Sequence, residues 1–356
     1  MNKNWICNKV LIIKICKKRE DDLPFFVVSI GALMKKYVIL ISGATASGKT
    51  DFAIKIAKKL SGEIINGDIG SFYTPLTIGT AKPDWKSSDI PHHLFDILDK
   101  PLNFTVVQFR QSLSGLINEI WQRGNVPIIV GGSAFYIKSF FFKQHEIEGA
   151  QELIQQMEEE LDQGLIDCNA LWDKLLKIDP LRASQIHCND AYRIIRAIAI
   201  FQVTGQKPSS FDQLFEPLAP FYFITCSRDR KELYQRINKR VQEMMEQGWI
   251  EEVEELRGTD WESFLISKKL IGYDDLLNFG IISNLQSIDS VVQIIAQKTR
   301  NYAKRQIIFL NKLQSEIAAL IENGHCIGAA EEINLTLCDV GLYIKGLSNR
   351  ILQTLS

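Results

Sequence analysis

The segment Gly43-Ala44-Thr45-Ala46-Ser47-Gly48-Lys49-Thr50 matches G-x-x-x-x-G-K-[ST], residue types and a spacing suited to holding phosphate. Glycines let successive backbone N–H groups converge on phosphate oxygens, and a helix start adds a partial positive charge. Lys49 can reach terminal phosphates, and the Thr50 hydroxyl suits Mg²⁺. The motif says polyphosphate; it does not say nucleotide. Asp68 ends a short apolar run, where a carboxylate faces the same crevice. It reads as a general base or metal-water ligand, or else as a turn or helix-cap aspartate. Gly131-Gly132-Ser133 ends another apolar run, and the glycine pair permits close backbone approach to a ligand. Arg236 and Arg240 lie four apart, so both can act on one helix face. Arginine suits bidentate phosphate binding, but pairing with Asp229, Glu232 and Glu243 is the other reading.

The scaffold these residues need is visible. Tyr37 to Ser42 reads YVILIS, a buried strand of a parallel sheet. After the loop, Phe52, Ile56 and Leu60 recur at helical spacing. Strand, glycine loop and helix together are the context the phosphate motif requires. Glu63–Asn66, residues 126–132 and Phe221–Thr225 supply further strands. The alternation predicts an α/β fold with a P-loop NTPase-like parallel sheet core. Between 144 and 213 no strand pattern appears. There Leu153, Met157, Leu161, Leu165, Leu171, Leu175 and Leu176 suggest an inserted all-helical domain. The expected division is an extension at 1–36, a catalytic core at 37–143 plus 214–315, a helical insertion at 144–213 and a C-terminal helical tail at 316–356.

The chain has 356 residues, 46% hydrophobic and 23% charged, which excludes disordered and fibrous classes. With 41 Lys+Arg against 42 Asp+Glu the net charge is −1, which argues against indiscriminate polyanion binding but leaves room for a local basic groove. Seven cysteines without a C-x-x-C pair give no disulfide framework or structural zinc site, and a reducing cytoplasm is expected. No apolar run reaches the ~18 residues that span a membrane. Lys9 and Lys14 break the N-terminal apolar stretch, so it is not read as a signal peptide. Met34-Lys35-Lys36 precedes the first clean strand, so Met34 is expected to be the natural start and residues 1–33 a wrongly assigned extension.

Two basic helical stretches bear on partners. Arg193 and Arg196 share one face, as a solvated edge or as phosphate-backbone contacts. Ser290 to Ser315 holds Lys298, Arg300, Lys304, Arg305 and Lys312 and no acid. Lys298, Arg305 and Lys312 form one stripe; Arg300 and Lys304 fall roughly opposite, beside Ala296, Ala303 and Ile307. The stripe is expected to track a nucleic-acid backbone, and Tyr302 either stacks on a base or packs in the core.

These residues resemble the tRNA dimethylallyltransferases. The resemblance runs from about Val38 to Leu310 and rests on GATASGKT at 43–50, Asp68, Tyr73, IGTAKP at 78–83, PHHLFDILD at 91–99, VPIIVGGSAFY at 126–136, NDAYRIIRAI at 189–198, LYQRINKRVQEMMEQGWIEEV at 233–253, IGYDDLL at 271–277 and TRNYAKRQ at 299–306. The phosphate loop alone is unspecific; the ordered set is specific. The resemblance implies transfer of a dimethylallyl group from dimethylallyl diphosphate to the exocyclic amine of the adenine 3′ of the anticodon, in tRNAs reading codons that start with U. The loop 43–50 would then hold diphosphate, with Mg²⁺ on Thr50 as cofactor. Asp68 would be the base, Ser133 a hydroxyl near the reacting atoms, and Arg236 a cation for the leaving diphosphate.

By the same resemblance, Asp68, Ile69, Gly70, Ser71, Tyr192, Arg193, Ile194, Ile195, Arg196, Lys269, Gly272, Tyr273, Arg300, Lys304, Arg305 and Gln306 would contact the anticodon stem-loop. A monomer is implied. The chain departs from the family pattern at Ala44 (usually Pro), Ile69 (usually Ser), Thr74 (usually Arg), Ser133 (usually Thr) and Ile308-Phe309-Leu310 (usually Thr-Trp-Phe). Three other readings stand beside it: an adenine-nucleotide prenyltransferase, a P-loop small-molecule kinase, and a non-catalytic RNA-binding protein with a decayed site, against which Lys49, Thr50, Asp68 and the Ser133 hydroxyl argue. The first needs no tRNA-docking insertion; the second needs an arginine-rich lid.

Overall fold

The computed structural model describes residues 36–143, 147, 149–211, 214–279 and 287–355. The expectations about residues 1–33 and Met34 lie outside them. Two compact units emerge, one built from the chain up to Phe141 and from Pro217 onward, the other from Phe142–Glu216.

In the larger unit, β1 (Val38–Gly43) leads through the glycine loop into α1 (Lys49–Leu60). Then come β2 (Gly62–Asn66), the short β3 (His92–His93), α2 (Val106–Gln122), β4 (Val126–Gly131) and α3 (Ala134–Phe141). The smaller unit holds β5 (Phe142–Lys143), α4 (Ala150–Asp162), α5 (Cys168–Ile178), α6 (Pro180–Ser184), α7 (Ala191–Thr204) and β6 (Leu214–Phe215). The chain continues with β7 (Phe221–Ser227), α8 (Arg230–Glu246), α9 (Trp249–Leu256), α10 (Asp260–Lys268), α11 (Tyr273–Phe279), α12 (Ile288–Glu322), β8 (Gly328–Asn334) and α13 (Val340–Leu355).

The six-stranded sheet is parallel throughout, in the order β3-β2-β4-β1-β7-β8. Every residue of β1, β2 and β4 is buried, as a sheet covered on both faces demands. The register aligns Ser42 with Gly131 on one side and with Thr225 on the other. The carboxyl ends of β2, β4, β1 and β7 therefore open onto one crevice, where ligands of open α/β sheets bind. Ile39, Ile41, Phe52, Ile56, Ile128 and Ile224 fill one core under this edge.

Glu63 of β2 is almost fully buried and anchors the sheet to its flanks. It accepts from Arg123 Nε (2.8 Å) and Nη2 (2.7 Å) and Asn125 (2.7 Å), and contacts His93 Nε2 at 2.6 Å. Burial alone would raise its pKa; those hydrogen bonds and the Arg123 charge outweigh burial and hold it at about 2.

A second core, around Trp249, Tyr273, Leu265 and Ile295, ties α9–α11 to the start of α12. The helical unit has its own core of Ile154, Met157, Leu171, Leu175, Ile194 and Ile198. Within it β5 and β6 pair antiparallel, a short ladder the sequence did not announce. Leu165 lies beyond the end of α4 and is exposed.

The C-terminal tail differs from expectation. It is not wholly helical: the basic helix runs on to Glu322, and β8 then pairs along the whole of β7 as an edge strand. α13 closes over this edge, burying Leu347 and Ile351 in the core beside Phe52. The segment thus completes the sheet.

Candidate active site

The phosphate loop is held by side chains distant in sequence. Ala46 and Gly48 take left-handed backbone angles (φ 60° and 92°), which turn the chain sharply before α1. Gly48 occupies the N-cap position without a side-chain cap, so the first N–H groups of α1 remain open to an anion. Gln306 of α12, nearly fully buried, accepts from Thr45 N (2.9 Å) and donates to Gly132 O (2.8 Å), joining two loops. Arg228 Nε donates to Ser47 O (2.6 Å) and Arg236 Nε to Ala46 O (2.9 Å). The loop is therefore preorganised before any ligand arrives.

Asp68 lies where β2 ends. Its backbone N donates to Asn66 Oδ1 (2.9 Å), and Asn66 Nδ2 donates to Leu94 O (2.9 Å) in the PHHLFD segment. Oδ1 accepts from Gly132 N (2.5 Å) and from the Ser133 hydroxyl (3.3 Å), while Oδ2 stands 3.4 Å from Lys49 Nζ. The Ser133 hydroxyl in turn accepts from Ile69 N (3.1 Å). Ser133 thus directs its oxygen at Asp68 and the chain after it. The Asp68 side chain keeps 36% exposure against 11% for Lys49, so the carboxylate is open to an incoming group. Tyr302 completes this corner; burial first, then the Asp68 charge, pushes its phenol up to about 12. It therefore remains a neutral hydrogen-bonding group.

Lys49, Asp68, Ser133 and Arg236 converge on one crevice. Other site expectations change. Gln306 clamps the phosphate loop; its amide is spent on Thr45 and Gly132. Tyr273 is fully buried and donates to Glu252 Oε1 (2.6 Å), which explains its presence as packing. Gly272 exists because a Cβ there would stand 2.0 Å from the Trp249 ring. Ile194 and Ile195 are fully buried in the helical unit's core, while Tyr192, Arg193 and Arg196 of the same helix are exposed. Ser71 is buried; Ile69 and Gly70 are partly covered beside Asp68. Lys269, Lys304 and Arg305 are exposed, and Arg300 donates to Gln297 and Asn238. Ile307 points outward, whereas Ala296 and Ala303 pack inside.

Glu252 was not anticipated. Its carboxylate accepts from Thr77 N (3.0 Å), Ile78 N (2.7 Å) and Gly79 N (3.2 Å), fixing the IGTAKP loop. Lys82 of that loop donates to Tyr73 O (2.8 Å) and pairs with Asp96. The nearest signal was the GWIEEV run itself, where an acid beside apolar helix positions has no visible partner.

Known proteins resemble this chain in sequence and fold. The IPP transferase family matches residues 71–313. The tRNA dimethylallyltransferase of Alkaliphilus oremlandii is 36% identical over 293 residues, covering 79% of this chain and 90% of that protein. That of Geobacter sulfurreducens is 35% identical over 286 residues, 78% and 90% of the two chains. Among solved structures, the tRNA isopentenylpyrophosphate transferase of Bacillus halodurans aligns with a TM-score of 0.58 at 28% identity, over 90% of this chain and 98% of that one. A eukaryotic dimethylallyltransferase acting on tRNA aligns at 0.64 and 26% identity, over 78% and 70%. By matched segment, identity and coverage, the chain belongs to the IPP transferase family, that of the tRNA dimethylallyltransferases.

Proposed function

We propose that the protein transfers a dimethylallyl group from dimethylallyl diphosphate to the N6 amine of the adenine 3′ of the anticodon, in tRNAs reading codons that begin with U. The observation that carries this reading is the juxtaposition of an open carboxylate, Asp68, with a phosphate loop ending at Lys49. A kinase can also use a carboxylate base beside its phosphates; the family match over residues 71–313 is what favours prenyl transfer.

N6 attacks the carbon bearing the diphosphate. The C–N bond forms, the C–O bond breaks, and the diphosphate leaves with the electron pair. Loop N–H groups of 43–50 and Lys49 stabilise the charge gathering on it. Asp68 takes the N6 proton, through the oxygen that Lys49 vacates when it turns to phosphate. Ser133 and Gly132 N–H hold the other oxygen and orient the base. The acceptor adenine must leave the loop stack to reach this crevice.

Among the described residues no group of three or more His, Cys, Asp or Glu could hold a metal ion. Thr50, with Asp51 in the same cleft, offers hard oxygens, the donor set that suits Mg²⁺ shared with substrate phosphates. Thr50 would hold the ion, which would neutralise charge on the diphosphate. Among the described residues no helix is long and apolar enough to cross a membrane.

The test is direct. Purified protein is incubated with Mg²⁺, dimethylallyl diphosphate and unmodified tRNA, and the digested nucleosides are weighed. N6-dimethylallyladenosine should appear and vanish in Lys49→Ala. Product with AMP in place of tRNA would favour the nucleotide-prenylating relative. No product with either would end the reading.

A further inference from the structure

Three arginines reach the phosphate loop from the end of β7 and from α8, and they are used differently. Arg228 spends Nε on Ser47 O and pairs with Glu232 at 2.5 Å. Arg236 spends Nε on Ala46 O. Both brace the loop's backbone. Arg240, one turn beyond Arg236, lines the cleft with Ala46, Gly48, Lys49, Thr50 and Asp51. Among the described residues it has neither a hydrogen bond nor an ion pair within 4.0 Å. Its neighbour in the next turn, Glu243, pairs instead with Lys239 at 3.2 Å.

A partly buried guanidinium with five unspent donors is costly unless an anion is meant to meet it. Local charge agrees. Lys49 pairs with Asp68, Arg228 with Glu232 and Glu243 with Lys239, so Arg240 feels Asp51, Glu243 and Asp68 only from a distance and pairs with none of them. Burial and the adjacent Arg236 disfavour the charged form of Arg240, the strain an anion would relieve.

We infer that Arg240 binds the outer phosphate of the diphosphate, the one not bonded to the transferred group, and makes the cleft prefer diphosphate to monophosphate. This rests on the diphosphate reading above. The inner phosphate belongs at the Asp68 end, where the reacting carbon must lie. Arg240 shares its part of the cleft with Lys49, Thr50 and Asp51, and Asp68 does not line that part, which leaves it for the second phosphate. Arg236, expected from sequence to meet the leaving group, is on this view first a brace for the loop.

The test uses inorganic diphosphate and inorganic phosphate, titrated calorimetrically with Mg²⁺ against the full chain and without tRNA. Arg240→Gln should raise the Kd for diphosphate by about 10–10²-fold, the scale of one charge-assisted hydrogen bond, and leave phosphate within about 3-fold. Arg240→Lys should recover part of the preference. Arg236→Gln should weaken both ligands alike and lower the melting temperature. A wild-type ratio of diphosphate to phosphate affinity in a folded Arg240→Gln protein would overturn the assignment. The prenylation assay is read separately. An inactive wild type whose diphosphate preference still falls in Arg240→Gln would sink the proposed reaction and leave Arg240 standing.

Discussion

The crevice at the sheet edge and the outward face of α12 hold their charges in opposite ways. In the crevice Lys49, Arg228 and Arg236 all have fixed partners, and Asp68 accepts from both Gly132 and Ser133. On α12, Lys304 is exposed without a hydrogen bond or ion pair among the described residues, and Arg305 rests over the Tyr302 ring at 5.7 Å. Bond making needs groups fixed to within about 0.5 Å, so these three cations are braced and Arg240 alone is left open in the cleft among the described residues. A polyanion backbone needs only charge nearby, so its cations stay free. On the proposed tRNA reading a single helix would serve both demands: Gln306 faces in and clamps the loop, while its neighbours Lys304 and Arg305 face out.

The largest effect should come from the crevice. Asp68→Ala should slow single-turnover transfer by about 10²–10⁴-fold, the range of a positioned general base, with tRNA affinity unchanged. Equal losses in rate and tRNA binding would move Asp68 from base to tRNA contact. Next comes the clamp. Gln306→Ala removes one buried and one partly buried hydrogen bond and should weaken diphosphate binding by about 10-fold or more, leaving the tRNA Kd near wild type. A variant that loses tRNA affinity alone would restore the reading taken from the motif.

The contrast also explains what sequence could reveal. Strand, glycine loop and helix at 38–60 were legible because each signal is local. Asp68 was legible by its place just past a strand. Gln306 was assigned to tRNA by resemblance, and its clamp on the phosphate loop was not legible because its partner Thr45 lies 261 residues away. The packing role of Tyr273 was hidden for a similar reason: Glu252, which accepts its hydrogen bond, lies in another helix. β8 was missed because Glu331 and Glu332 interrupt GAAEEIN; yet Glu331 is buried and bonded to Tyr343, leaving Glu332 exposed at the edge. Arg240 was seen as half of a pair; only coordinates show which arginine is spent and which is free.

The smallest effects belong to α12, and they grade the stripe drawn from helical periodicity. Lys304→Ala with Arg305→Ala should weaken tRNA binding and lower the slope of log K against log salt by roughly 1–2, as expected for two lost phosphate contacts. Lys298 belongs to the same stripe by angle but not by environment. It pairs with Asp275 and stands 3.9 Å from Asp274, so its charge is largely answered within the protein. Freeing it for a phosphate would leave those carboxylates behind, which offsets the gain. Lys298→Ala should therefore change the salt slope by less than about 0.5 and tRNA affinity by less than about 3-fold. A slope change matching that of Lys304 or Arg305 would show that the Asp275 pair opens on tRNA binding. Periodicity would then have ranked this stripe better than local pairing does.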